Sequence, residues 1–147
     1  MLQHEGGEKF FDLLDDKIRI DIDLIHNMIN FILDSNIYFD YIIVSGKFGR
    51  VFSNYINNNE TKLSIHNIIT VNGGLRKNNP IEKFWEIYDI KNKKLVFVDD
   101  SFYSGKTMNA IKNAIESNGG ELIKTFCYYD GSESKLGDVE SFYRWYR

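Results

Sequence analysis

One cysteine in 147 residues, Cys127, excludes a disulfide within the chain and points to a reducing, intracellular setting. It sits in the apolar run TFCYY and reads as a small buried hydrophobe rather than a nucleophile. An excess of positive charge is also missing. Eighteen Lys and Arg stand against 21 Asp and Glu, a formal net charge of −3, which argues against a broad nucleic-acid-binding face. No run is long and apolar enough to cross a bilayer, so no membrane partner is expected. The opening residues, MLQHEGGEKFFDLL, are broken by acids and glycines and do not read as a signal peptide, so the expected compartment is the cytoplasm. Repeats and long low-complexity linkers are absent. The length suits a single domain over 1–147 that buries its own core without staples. His4, His26 and His66 are scattered with no metal-ligand spacing; His26 reads as part of a helix face and His66 as a strand residue. Asp21 and Asp23 do not make a phosphatase DxDx(T/V) motif, because Ile25 holds the fifth position and no strand precedes them.

What is present alternates between helical and strand-like stretches. Phe10 to Asp15 suits a short helix. Asp21 to Asn36 repeats Ile22, Ile25, Ile29 and Ile32/Leu33 at helical spacing; Asp21 or Asp23 can cap it and Asn36 can end it. Asp40–Ser45 is an apolar strand, Gly46–Gly49 a tight loop, and Arg50–Asn57 a helix. Leu63–Val71 is β-branched and strand-like, Asn72–Pro80 a polar excursion, and Phe84–Ile90 a return strand closed by a turn at Asn92-Lys93. Leu95–Val98 is a further strand. Gly105–Ser117 is a helix with Met108, Ile111 and Ile115 on one face, stopped by Asn118-Gly119-Gly120. Leu122–Tyr129 is a strand and Phe142–Arg147 an aromatic, basic tail. The fold class is therefore α/β: a mostly parallel twisted sheet flanked by helices, Rossmann-like, with its core at about 37–130. Runs such as YIIV and LVFV suit strands buried on both faces. Ligands of such sheets bind at the carboxyl ends of strands, where both SGKFG and DDSFYSGKT lie.

The second of these stretches carries the chemistry. Ser104-Gly105-Lys106-Thr107 opens a helix whose free N–H groups and dipole suit a phosphate. Asp99 and Asp100 would repel a bare phosphate but suit the hydroxyls of a sugar that bears one, or a hard cation such as Mg²⁺. A ribose 5-phosphate meets both needs. A Walker A loop fails because Asp100 stands where its first glycine belongs. The bland alternative is a serine N-cap with two exposed acids.

LVFVDDSFYSGKTM resembles the phosphoribosyl pyrophosphate (PRPP) signature of type I phosphoribosyltransferases: an apolar strand, two acids, three variable residues, then Thr/Ser-Gly-x-Thr/Ser. Asp99, Asp100, Ser104, Gly105 and Thr107 meet each constrained position, and the Gly-Lys-Thr-Met ending is similar to the hypoxanthine-guanine branch. The resemblance implies that Ser101, Phe102, Tyr103, Ser104, Gly105, Lys106 and Thr107 hold the ribose phosphate. It also implies that Asp99 and Asp100 serve catalysis and the Mg²⁺ cofactor, and that Ser45, Gly46 and Lys47, with Arg50 near, hold pyrophosphate. Arg76 and Lys77 would belong to a loop that closes over the reaction centre. The partners implied are PRPP and a nucleobase or nucleotide, and the setting is nucleotide salvage. The reaction implied is displacement at the anomeric carbon through an oxocarbenium-like transition state, with no covalent nucleophile.

The chain departs from that pattern where purine-salvage members carry an acid/base aspartate. It has Tyr103 there, and a tyrosine titrates near ~10. FCYYDGSE also offers no base-reading lysine, so a 6-oxopurine acceptor is not implied. The terminal segments leave room only for a very small hood over the base. Tyr129 and Trp145, with Tyr143 and Tyr146, are candidates for stacking; alternatively FYRWY packs on the sheet edge or forms a homodimer contact. Two other functions stay open: a non-catalytic sensor of PRPP or nucleotide with the same fold, and a general nucleotide-binding interaction protein.

Overall fold

The computed structural model describes residues 22–71, 81–102, 105–131 and 139–144. Among them, five strands form one sheet in the order β2-β1-β3-β4-β5, and every pairing is parallel. The elements are α1 (Ile22–Asp34), β1 (Tyr41–Ser45), α2 (Gly46–Asn58), β2 (Ile68–Val71), β3 (Lys94–Phe102), α3 (Lys106–Ser117), β4 (Glu121–Asp130) and β5 (Val139–Arg144). Short 3₁₀ turns stand at Ile65–Asn67 and Phe84–Glu86. No helix among the described residues is long and apolar enough to cross a membrane.

Strand alternation sorts the core into two layers. Ile42, Val44, Val96, Val98 and Phe126 point to the face covered by α1 and α2. Ile43, Ile69, Leu95 and Phe97 point to the face covered by α3 and by the segment holding Phe84 and Ile90. The handedness of parallel crossovers explains the division. The step from β1 to β2 runs one way across the sheet and uses the first face. Those from β2 to β3 and β3 to β4 run the other way and use the second. The first face of β3 and β4 would then be bare, and α1 fills it. Its Ile25, Met28 and Ile32 are almost fully buried, each worth about 1.5–3 kcal/mol. Phe31 meets Phe126 edge-on, with ring centroids 5.7 Å apart.

Several sequence expectations are met in shape. Asn36 takes a left-handed φ of 55° just past α1, and Gly119 one of 87° just past α3. Asn92 turns at φ 61° before β3. Others are corrected. The strand expected over Leu63–Val71 is only Ile68–Val71, because Ser64 accepts the N–H of His66 and starts a 3₁₀ turn; His66 lies in that turn, not in a strand. The return strand expected over Phe84–Ile90 is a 3₁₀ turn and an irregular run. Phe84 and Ile90 are its two anchors in the second layer, while Ile87 is 70% exposed. A strand would need a neighbour to pair with, and this crossover lies over the sheet rather than in it. The aromatic tail supplies a fifth strand on the sheet edge, with Val139 opposite Thr125 and Arg144 opposite Asp130. The expected helix over Phe10–Asp15 lies outside the described residues.

Gly46–Gly49 is not a free loop: helix α2 starts at Gly46. The two glycines have separate reasons. Gly46 has φ +66°, and a Cβ there would meet nothing within 4 Å. Gly49 is buried, and a Cβ there would lie 3.0 Å from the backbone carbon of Val44. It is the point at which helix and strand touch. Gly49→Val should therefore cost about 2–3 kcal/mol in urea unfolding, against about 1 kcal/mol for Gly46→Ala.

Asp40 ties β1 to β3 at the amino edge of the sheet. Its carboxylate accepts the Lys94 N–H (2.8 Å) and the Tyr38 hydroxyl (2.9 Å). The Lys94 N–H, foremost, holds this carboxyl below its ordinary value of 3.8. A depressed acid stabilises the fold above its ordinary pKa and ceases to do so as pH falls through the lower folded-state value. Since Asp40 is only half-buried, Asp40→Asn should lose under about 1 kcal/mol at pH 7. The difference from wild type should vanish in denaturation curves taken well below pH 3.8.

Candidate functional site

With crossovers leaving β1 and β3 in opposite directions, a crevice opens between their carboxyl ends. Two helices begin there. Helix α2 follows β1 directly, and α3 follows β3. Neither has an acidic residue in its first turn, and neither N-cap, Ser45 or Gly105, makes a side-chain capping bond. Helix α1, by contrast, carries an acid, Asp23, in its first turn. The two helix starts at the crevice thus bring the partial positive charge of their dipoles to it.

Several of the residues expected to hold phosphate and pyrophosphate stand at these starts. Ser45 ends β1 half-buried, Gly46 turns the chain, and Lys47 is exposed in the first turn of α2. Gly105 is buried with φ +77°, and its carbonyl takes the first bond of α3 from Asn109 N–H, 2.8 Å. Lys106 is exposed and Thr107 half-buried. Arg50 is exposed one turn into α2. Tyr103, Ser104, Arg76, Lys77 and Trp145 lie outside the described residues.

The acids are not in a loop. Strand β3 runs on to Phe102, paired with β4 through Asp99–Cys127, Ser101–Tyr129 and Phe102–Asp130. Strand β1 stops short: its last pair with β3 is Val44–Val98. Since β1 ends at Ser45, level with Asp99 in that register, the three residues Asp100 to Phe102 rise past β1, and β3 with β4 makes a wall beside the start of α2. Alternation sets Asp99 on the α3 face with Phe97, and Asp100 on the α2 face with Val98. Both are half-buried. Asp99 Oδ1 accepts the backbone N–H of Asp100 at 2.8 Å, and Ser101 Oγ approaches Asp100 Oδ1 at 3.4 Å. Among the described residues no three His, Cys, Asp or Glu side chains converge as a metal cage. Mg²⁺ needs none, since it takes one or two carboxylates and completes its shell with phosphate oxygens and water. Hard oxygen donors at the edge of an anion site fit that habit.

Tyr129 was a stacking candidate. The structure buries it completely, so it offers no ring face to a base, and burial raises its phenol above the usual value. Asp130, 2% exposed, ends β4 at the same edge. The sequence signal for it was the same one that marks Asp99: an acid after an apolar strand.

Gly105→Ala should strain the turn into α3, since its φ of +77° disfavours a side chain. We expect a loss of about 1–2 kcal/mol in urea unfolding, with amide shift changes concentrated at Lys106–Met108. An unmoved midpoint would show that the turn relaxes freely.

The phosphoribosyl transferase domain model matches residues 50–146 of this chain. Solved structures agree in fold. A purine phosphoribosyltransferase from Pyrococcus horikoshii Ot3 is 20% identical, with a TM-score of 0.58 over 85% of this chain and 84% of that one. A xanthine-guanine-hypoxanthine phosphoribosyltransferase from Helicobacter pylori is 9% identical, with a TM-score of 0.53 over 97% and 90%. A hypothetical protein from Neisseria gonorrhoeae with bound ppGpp is 10% identical, with a TM-score of 0.51 over 85% and 81%. No curated protein sequence matches.

Proposed function

The chain belongs to the phosphoribosyl transferase domain family, and on that premise we propose that it binds PRPP with Mg²⁺ and transfers phosphoribose to or from a nucleobase-like acceptor. The observation that supports this reading is that two helices with no acid in the first turn, α2 and α3, begin at the carboxyl ends of neighbouring strands, with Asp99 and Asp100 on the last residues of β3. One helix start takes the 5-phosphate through the amides around Lys106 and Thr107. The other takes the pyrophosphate through the amides after Gly46 and the ammonium of Lys47. The wall of β3 lies along the ribose between them.

Placed so, the sugar is gripped at both ends and the anomeric carbon is left between them for an acceptor. The bond from that carbon to the pyrophosphate oxygen breaks, and the pyrophosphate leaves with the electron pair. The bond to an acceptor nitrogen forms, and the nitrogen gives up its proton. Lys47 and the amides of α2 stabilise the charge that grows on the leaving group. When bound, Mg²⁺ supplies further charge neutralisation on the pyrophosphate. With Tyr103 at the usual acid position, no carboxylate from that position protonates a purine nitrogen, so acceptors other than 6-oxopurines come first. The single thiol, Cys127, is buried and needs no oxidising compartment, which supports action in the cytoplasm.

The second reading is a sensor that binds a phosphorylated nucleotide without turnover. It is favoured by the Neisseria gonorrhoeae protein of this fold that holds ppGpp. Calorimetry with PRPP and Mg²⁺, followed by incubation with nucleobases and mass detection of nucleotide and pyrophosphate, separates the two. We expect PRPP binding, product with at least one base, and about tenfold weaker binding in Lys47→Ala. Binding without product would select the sensor. No binding of PRPP would defeat the transferase reading.

A further inference from the structure

We propose that Ser53 of α2 and Thr70 of β2 are positioning residues, whose paired hydroxyls fix where the start of α2 stands at the carboxyl end of β1. This rests on the function proposed above, in which that helix start takes the pyrophosphate; neither hydroxyl is assigned a contact with the ligand. The two oxygens lie 2.5 Å apart, partly buried, and either one can donate. They are set in an apolar layer: Phe48, Phe52 and Ile56 of α2 pack there with Ile42 and Val44 of β1 and Ile68 of β2. Apolar contact is non-directional, so it holds a helix down without fixing its rotation or its place along its own axis. A hydrogen bond between side chains fixes both, and a partly buried hydroxyl that loses its partner is costly to enclose.

The pair stands where such a restraint has leverage. Gly49 and Ser53, four residues apart, lie on one face of α2. Gly49 rests on Val44, where a Cβ would come within 3.0 Å of the backbone carbon, and Val44 is the register partner of Thr70. Helix α2 therefore meets two neighbouring strands at one level, one residue short of their ends at Ser45 and Val71. The contact at Gly49 sets how closely the helix lies, and alone it would act as a pivot. Ser53 is about 6 Å along the axis on one side of it and Gly46 about 4.5 Å on the other, so a shift at Ser53 reaches Gly46 and Lys47 little reduced. At the amino end no side-chain capping bond from Ser45 adds a further restraint. The hydroxyl pair supplies the second fixed point.

Four variants of the full chain test this. Thr70→Val removes one hydroxyl at nearly constant volume, Ser53→Ala removes the other in a helix that favours alanine, the double variant removes both, and Thr70→Ser keeps the bond. In calorimetry with pyrophosphate and Mg²⁺, Ser53→Ala and Thr70→Val should each bind about fivefold more weakly. The double variant should match either single one, because all three lose the same bond, and Thr70→Ser should stay within about twofold of wild type. Ribose 5-phosphate, assigned to the start of α3, should bind every variant as it binds the wild type. In the free protein the amide shifts of Gly46–Gly49 should move in Ser53→Ala and Thr70→Val and return in Thr70→Ser. An equal loss for ribose 5-phosphate would overturn the proposal, since the variants would then have loosened the sheet as a whole. So would a double variant weakened about 25-fold, the product of two independent losses, or a Thr70→Ser as weak as Thr70→Val. If the wild type binds no pyrophosphate, the transferase reading fails, and the shifts decide the positioning role: unmoved amides at Gly46–Gly49 overturn it. If Thr70→Val does not fold, Ser53→Ala carries the test with the same ligands and shifts.

Discussion

Parallel pairing of β1 with both β2 and β3 is the constraint on which the rest depends. Parallel neighbours cannot be joined by a hairpin, so each connection must cross a face of the sheet, and its hand fixes which face. Once β2 lies on one side of β1 and β3 on the other, their connections take opposite faces. Two consequences come together. Among the described residues no connection passes between the carboxyl ends of β1 and β3, and each strand is followed by a helix. The proposed anion site follows from topology before any side chain is considered.

The side chains then settle how the gap is used. Glycine at 46 allows the turn from strand into helix, and glycine at 49 lets that helix lie against Val44. Together they bring the donors of α2 down to the level at which β1 ends. Strand β3 continues for three more residues with support from β4 alone. This difference in height gives the crevice a floor and one wall. Phosphate chemistry suits the floor, where two helices begin, and sugar chemistry suits the wall, where carboxylates stand.

Much of this was readable in the sequence, for reasons that can be named. YIIV and LVFV are apolar without alternation, which only strands covered on both faces require. Gly105 and the Asn118-Gly119-Gly120 stop bracket α3 because positive φ values are needed at Gly105 and Gly119. The misreadings also have causes. IEKFWEIYDI has strand composition, but whether a segment pairs or merely covers a face depends on free sheet edges, a non-local fact. GKFG looks like a loop because glycine signals chain freedom, whereas Gly49 is there for a contact that only the packed helix reveals. The strand reads as ending at Val98, since carboxylates are uncommon inside strands. Had the strand been extended through Phe102, its alternation would have separated Asp99 from Asp100 at once. Tyr129 looked available for stacking because its depth depends on its place in the sheet, not on its neighbours in sequence.

The match to the family begins at Arg50, inside α2. Everything before that point might be taken as a dispensable extension, but α1 and β1 are both there. Strand β1 is the second of five, and it joins β2 to the remainder. Helix α1 is the roof over Phe126. A piece cut at Arg50 would keep the whole signature and have no middle: β2 would lose its neighbour, and Val96, Val98 and Phe126 would lose much of their cover. The part of the chain that identifies the molecule is therefore not a unit that can be moved by itself into another protein. Recombination, splitting or circular permutation would have to respect a boundary ahead of α1, well upstream of where the recognisable sequence starts.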